Sequence, residues 1–412
     1  MKILHVSTSS SGGAAIAANR LHIGLLNEEF DSSILYLHKN KVINKSYEFP
    51  KKDINLVYKI LRKLNLYQTT SEKNTLNTST LSKEKTMFSF ADSDYDITKT
   101  QIYHEADIIN LHWVSDFIDF KSFFKNNTKP LVWTLHDQNP FTGGCHYSEN
   151  CDKYSSNCHN CYLWKNKESL VIATEKNFLL KQTALSQKKI AVVAPSKWLH
   201  NLSLQSTLFG KQKHYHIPYG LDTNVYFPIN KSEARQAFSI SDDKKVLLFI
   251  SDKLFEERKG FKILKEAISI INRDDVHLLA IGKENESDSN LKIQYTGHIN
   301  DETTMNLAYN AADAFILPSL QDNLPNTMLE ALSCGTPVIA FPVGGIIDCI
   351  KTGENGILAN KISVEALSIA ISEFLNGGFN FSRDLIREFA AKEFDQKKQA
   401  LSYSKLYKQL LD

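Results

Sequence analysis

Two carboxylates eight residues apart, and a cluster of cations upstream of them, are the side chains in this sequence best equipped for chemistry. The stretch LPSLQDNLPNTMLEALSCGTPVIAFPVGG, residues 317–345, reads as a strand, a loop with Asp322 and Asn323, and a helix opening at Pro325 to Thr327. A helix N-terminus offers unpaired amides to an anion, so the run Asn323, Leu324, Pro325, Asn326 and Thr327 is a candidate binding loop for a phosphate group. Glu330 lies one turn into that helix. Asp322 and Glu330 then frame a place where a diphosphate could rest, and both would accept hydrogen bonds from hydroxyl groups beside it. A plainer reading competes: Thr327 and Glu330 also spell a T-x-x-E capping box, which needs no ligand.

A second element is SDKLFEERKGF, residues 251–261, where Lys253, Arg258 and Lys259 follow a strand end and precede a helix. Cations placed there can neutralise charge growing on a departing phosphate, although a solvated charge run is the usual meaning of such a pattern. In TLHDQNPFTGGC, His136 and Asp137 directly follow the strand 131–135. Histidine is the usual proton shuttle, yet a lone histidine after a strand is more often structural. Four of the six cysteines, Cys145, Cys151, Cys158 and Cys161, crowd into one loop as C-x5-C-x6-C-x2-C. The C-x2-C pair has zinc-knuckle spacing and C-x5-C does not. Structural zinc, disulfides, free thiols and another metal therefore all stay open, with a metal ahead of disulfides if the thiols stay reduced.

These groups need elements to hold them. Residues 2–6 read as a strand, 7–13 as a Ser/Gly loop, and the stripe Ala14, Ala17, Ala18, Leu21 and Leu25 as a helix. Further short apolar strands follow at 33–37, 107–113, 131–135 and 190–194, of the non-alternating kind found in parallel sheets covered on both faces. The sequence HIPYGLDTNVYFP, residues 216–228, interrupts this rhythm and marks a boundary. Strands at 246–250, 277–281, 293–296, 314–317 and 337–341 then alternate with helices beginning near Lys259, Asp301, Pro325 and Gly345. The tail from Ser363 to Leu411 reads as helical throughout, its last helix crossing back to the first half. The expected fold is α/β: two Rossmann-like domains facing across a cleft, 1–222 completed by 395–412, and 223–394, with ligands beyond the carboxyl ends of the strands.

Composition narrows the function. The chain has 412 residues, 42% hydrophobic and 23% charged, with 48 basic against 46 acidic residues and a net charge of +2, so no global field favours nucleic acid. The first residues carry no apolar run long enough for a signal peptide, and no segment approaches the roughly 18 apolar residues of a membrane span, which predicts a cytoplasmic protein. The segment KKDINLVYKILRKLNLY, 51–67, predicts an amphipathic basic helix, either packed on its own protein or resting on an anionic membrane surface.

Together these motifs resemble the family 4 glycosyltransferases of the GT-B fold, retaining enzymes that use nucleotide-activated sugars. The resemblance spans nearly the whole chain. It is most specific in 318–345, in the turn Arg258-Lys259-Gly260 and in IPYGLD at 217–222. It implies that Glu330 binds the donor's ribose, that Asp322 occupies the place of a glutamate contacting the donor sugar, and that Lys253 stands where the family has an arginine. Lys253 and Lys259 would bind the diphosphate. A lysine at 253 keeps the charge and loses the bidentate fork. His136 would contact the donor sugar, with Gly12 and Gly13 as the glycine loop near the reaction centre and no metal needed for transfer. The segment HDQNPFTGGCHYSENC resembles a bacterial subgroup, including colanic-acid-type transferases, that builds surface polysaccharide.

The expected partners are therefore a UDP- or GDP-sugar and an oligosaccharide or polyprenyl-linked acceptor, with peripheral contact to the inner membrane. The base, the sugar and the linkage stay open. Two rivals remain at this point, a sugar-nucleotide epimerase or phosphorylase on the same fold and a zinc-loop binding module.

Overall fold

The computed structural model describes residues 1–50, 61, 64, 68–79, 87–164, 167–283 and 293–412. The amphipathic helix expected over 51–67 lies almost wholly outside them. The chain divides into two compact units, Met1–Ile217 with Ala400–Asp412, and Pro218–Gln399.

In the first unit the strands are β1 Lys2–Ser9, β2 Asp31–His38, β3 Ser46–Glu48, β4 Ile108–Leu111, β5 Leu131–Thr134, β6 Ile190–Ala194 and β7 Lys213–His216. They pair in the order β3-β2-β1-β4-β5-β6-β7, every pair parallel. The second unit has β8 Lys245–Lys253, β9 Val276–Lys283, β10 Ile293–Tyr295, β11 Ala314–Leu317, β12 Val338–Ala340 and β13 Gly356–Leu358, ordered β10-β9-β8-β11-β12-β13, again all parallel. In both sheets the chain runs outward from a central strand on one side and then returns to build the other. That is the doubly wound Rossmann order.

The expected apolar strands all form. Three strands carried no such signal, SYE at β3, KHYH at β7 and GIL at β13. Each is a sheet edge, where one side of the strand lacks a neighbour and a continuous apolar run is not required. The tail expected to be helical throughout forms three helices, Val364–Leu375, Arg383–Glu393 and Gln396–Leu411. Gly377, at φ +77°, and Gly378 turn their amides back to the carbonyls of Phe374 and Glu373, which ends the first of these helices.

Strand period two sorts the first unit's core onto two faces. Leu4, Val6, Leu111 and Trp133 pack on one side with Phe117, Phe124, Phe141 and Phe209. Ile3, Ile108, Val132 and Val193 pack on the other with Leu21 and Leu25, and with Ala400, Tyr403, Leu406 and Tyr407 of the last helix. Polar residues of β4 and β5 also point to this second face. The Asn110 amide nitrogen donates to the Tyr407 hydroxyl at 2.7 Å, and the Thr134 hydroxyl donates to Asn110 Oδ1 at 3.0 Å and meets the Tyr403 hydroxyl at 2.9 Å. The last helix is thus tied to the sheet by satisfied buried polar groups as well as apolar burial. Tyr407→Phe removes the acceptor of a buried amide, and a stranded donor costs about 1–3 kcal/mol. Urea unfolding of the variant should show a lower midpoint with an unchanged slope; an unchanged midpoint would refute the tie.

Candidate functional site

The strand order of the second unit reverses between β8 and β11, so the loops leaving these strands flank the place where open α/β sheets bind ligands. They are the loops singled out by sequence. Lys253 ends β8 and is exposed. The short 3-10 turn Glu257–Lys259 follows, then Gly260, at φ +73°. A Cβ at Gly260 would lie 1.9 Å from the carbonyl oxygen of Pro318, so only glycine lets the two loops meet. The Leu320 amide donates to the Arg258 carbonyl at 2.8 Å, and Arg258 Nη1 donates to the Gln321 carbonyl at 2.9 Å. Arg258 also pairs with Glu256 at 2.8 Å. Arg258 therefore fastens the β8 loop to the β11 loop.

Asp322 sits inside this junction, 7% exposed. Its Oδ2 meets Lys259 Nζ at 2.6 Å and Arg258 Nη1 at 3.6 Å, and its Oδ1 accepts the Asn323 amide at 3.1 Å. Burial alone would raise the Asp322 carboxyl, but Lys259 and Arg258 outweigh it and hold the group below the ordinary carboxylate range. Gly344, at φ +53°, packs where a Cβ would stand 1.7 Å from the Asp322 carbonyl oxygen. Asn323 and Leu324 are buried beside it.

The helix after this loop is Asn326–Ser333, capped by Pro325, which provides no side-chain hydrogen bond. The capping box read from Thr327 and Glu330 does not form. The helix begins two residues earlier than that box requires, at Asn326 instead of Met328, and Glu330, fifth in the helix and buried, accepts the Tyr309 hydroxyl at 2.6 Å. With no side chain at the cap, Asn326 and Thr327 open a first turn whose amides face the loop end, and the Glu330 carboxylate is held by a neighbouring helix.

In the first unit the order reverses between β1 and β4. Beyond β1, Gly12 caps the helix Gly13–Asn27 at φ +94° without a side-chain bond, both glycines are exposed, and a Cβ on Gly12 would meet nothing within 4 Å. Beyond β5 lie His136 and Asp137, each 7% exposed. Each ends a buried relay that the sequence reading missed. His5 Nδ1 meets His112 Nε2 at 2.9 Å, and His112 Nδ1 meets His136 Nε2 at 3.0 Å. Burial depresses all three imidazoles, His136 to about 4 and the other two well below their ordinary value. Asp137 Oδ2 meets His146 Nδ1 at 2.6 Å and accepts Trp113 Nε1 at 2.9 Å, while His146 Nε2 meets the Ser89 hydroxyl at 3.0 Å.

Ser89-His146-Asp137 has the connectivity of a hydrolytic triad. Ser89 is only 6% exposed, however, and its amide donates to the Gly144 carbonyl at 2.9 Å. The trio is a clamp between the chain around 88 and the loop after β5. Lys181 adds to it, fully buried and donating to the carbonyls of Asn139 at 2.6 Å and Thr142 at 3.1 Å. The sequence offers only a histidine inside β1 at 5, one just past β4 at 112 and one in the loop after β5 at 146; spatial pairing alone reveals their use.

The four loop cysteines are reduced and line one cavity of about 20 Å³ with Phe88, Tyr162 and Thr174. Burial pushes the Cys158 thiol up to about 12 and raises Cys145 and Cys161 as well. Among the described residues no group of three or more His, Cys, Asp or Glu side chains is gathered closely enough to hold a metal ion.

The histidine relay carries a pH signature. A histidine depressed in the folded state binds its proton more readily when unfolded, so stability is full above pH 6.5 and is lost as pH falls through the window between 6.5 and the folded value near 4. His136 alone should cost about 2 kcal/mol between pH 7 and 5. Urea midpoints measured across that range test this; a flat profile would rule out three buried neutral histidines.

Residues 244–377, most of the second unit, match the family described as glycosyl transferases group 1. A protein of Escherichia coli provisionally named a colanic acid biosynthesis glycosyl transferase is 23% identical over 248 residues, covering 57% of this chain and 58% of that protein. The N,N'-diacetylbacillosaminyl-diphospho-undecaprenol alpha-1,3-N-acetylgalactosaminyltransferase of Campylobacter jejuni is 27% identical over 207 residues, 47% of this chain and 53% of that protein. The matches thus span about half the length of these relatives. In structure, the chain is similar to HepE of Anabaena, solved with UDP and glucose, at a TM-score of 0.64 and 16% identity over 99% of both chains. Residues 244–377 match the group 1 glycosyl transferases, and the chain as a whole has the two-domain GT-B fold.

Proposed function

We propose that the chain is a retaining glycosyltransferase that moves a sugar from a UDP- or GDP-sugar to an oligosaccharide acceptor, linked to a polyprenyl diphosphate, in the building of surface polysaccharide. The observation that carries the reading is the junction of Lys259, Arg258 and Asp322 at the topological switch point of the second unit, beside a helix N-terminus with no capping side chain. A diphosphate placed there meets backbone amides and the cation of Lys259, with exposed Lys253 on the same strand end. Asp322 already neutralises Lys259, so the incoming diphosphate takes over a cation held ready in position. Glu330, fixed by Tyr309, accepts the ribose hydroxyls, and Asp322 orients the sugar; in the first unit, His136, Gly12 and Gly13 keep the sugar-contact and glycine-loop roles that the family resemblance implies. No side chain is placed as a nucleophile; the leaving phosphate deprotonates the acceptor on the sugar's own face.

The polysaccharide and lipid-linked assignments draw on the two relatives' names and on the motif 136–151. Among the described residues no helix is long and apolar enough to cross a membrane, so contact with a lipid-linked acceptor would be peripheral.

Calorimetry with a panel of nucleotide sugars tests the reading. One of them should bind in the micromolar range, and Glu330→Gln, which can still accept the Tyr309 hydroxyl, should weaken that donor at least tenfold with little change in stability. A panel that fails entirely, or a Gln variant with unchanged affinity, would overturn the enzyme or the ribose assignment respectively.

A structural zinc in the cysteine loop is a second reading, favoured by four cysteines on one cavity and by backbone donors to sulfur. The Gly143 amide donates to Cys158 Sγ at 3.1 Å, and Cys161 accepts the Leu163 amide. Amide-to-sulfur bonds of this kind stabilise thiolate ligands. Binding would draw the four sulfurs to about 2.3 Å from the ion, a closed site with no open position for catalysis. Elemental analysis of the purified chain should find about one zinc per chain, as one four-ligand site implies; a folded, metal-free chain with four titratable thiols would refute it.

A further inference from the structure

The hydrogen-bonded row His5–His112–His136 crosses three adjacent strands on one face of the sheet and reaches from the core to the strand ends. Neutral imidazole has one donor and one acceptor nitrogen, so each ring-to-ring bond fixes the tautomers on both sides. Only two neutral patterns satisfy both bonds. In the first, every ring carries its proton on Nδ1: His5 donates to His112, His112 donates to His136, and His136 presents Nδ1–H beyond the row. In the second, every proton sits on Nε2 and the donation runs the opposite way.

The far end of the row separates them. His5 Nε2 is buried with no hydrogen-bond partner. The second pattern would place a proton on that nitrogen and so orphan a buried N–H, which folded proteins almost never do, whereas the first leaves there only a bare lone pair.

We propose that His112 and His5 are positioning residues that lock His136 as an Nδ1–H donor, so that its ligand atom is a hydrogen-bond acceptor such as a sugar hydroxyl oxygen. The ligand class rests on the reading of His136 as a sugar contact; the lock does not. A consequence is that His136 is no general base: Nδ1 is already protonated, and the lone pair of Nε2 is engaged by His112. That fits a transfer in which the leaving phosphate takes the acceptor's proton. It also gives the two inner histidines a task that neither a metal ligand nor a proton shuttle would share, since they set a direction of donation and exchange nothing.

Nitrogen-15 NMR of the full chain with labelled histidine, at pH 7.5 and without ligand, reads the tautomers directly. Expected are a protonated Nδ1 and a bare Nε2 at all three rings, assigned by single replacement; an Nε2–H tautomer at any of them overturns the lock. In His112→Phe, which keeps an aromatic ring and removes both nitrogens, His136 should change from one tautomer to an average of two. Retention of the wild-type signature there would reduce His112 to packing and overturn its positioning role. If that variant does not fold, His112→Leu, which also removes both nitrogens, serves in its place, and the wild-type spectrum remains decisive by itself. Titration with UDP-glucose or GDP-mannose then tests the sugar-contact reading separately: a His136 resonance that ignores a donor which binds would sink that reading and leave the tautomer result standing.

Discussion

A parallel sheet buried on both faces leaves little room for polar chemistry except at the carboxyl ends of its strands. Both sheets obey this constraint, and the rest of the molecule follows from it. The strands are short apolar runs because helices cover them on each side. The loops leaving β8 and β11, and those leaving β1, β4 and β5, then collect the charged and titratable side chains. Where a polar group does enter the sheet, as at His5, Asn110 and Thr134, it is tied to others of its kind. The buried carboxylate of Asp322 is tolerable for the same reason, since two cations and a backbone amide surround it.

Much of this could be read from sequence because the constraint leaves a pattern. Apolar strands alternating with helices gave both Rossmann-like sheets, and the residues just past the strands gave Lys259, Asp322, Glu330 and His136. What escaped were features set by pairing in space. The edge strands β3, β7 and β13 need no apolar run on their open side, so nothing in SYE, KHYH or GIL announced them. The T-x-x-E pattern at 327–330 was a local motif overruled by a tertiary bond to Tyr309. The partners of His136 and Asp137 lie 24 and 9 residues away at His112 and His146, with His5 and Ser89 farther still. No spacing rule connects them.

The two units spend their buried polar groups differently. In the second, a charge is held against charge, Asp322 against Lys259. In the first, neutral rings are held against one another, and burial keeps His136 uncharged near neutral pH. One surface answers charge and the other only the direction of a hydrogen bond, which are the two demands that a diphosphate and a neutral sugar would make under the proposed function.

Gly260 and Gly344 bear on how the loops around Asp322 could evolve. Both press bare backbone against carbonyl oxygens, of Pro318 and Asp322 respectively, at distances that no side chain allows. The segments around 260, 318–322 and 344 are therefore mechanically one piece, and a shift in any of them must carry the other two. If this piece binds the proposed donor, retuning for a new nucleotide or sugar cannot proceed by trimming or enlarging residues at the seams. It has to work through side chains that project from the piece, such as Lys253, whose exchange leaves the backbone fit untouched.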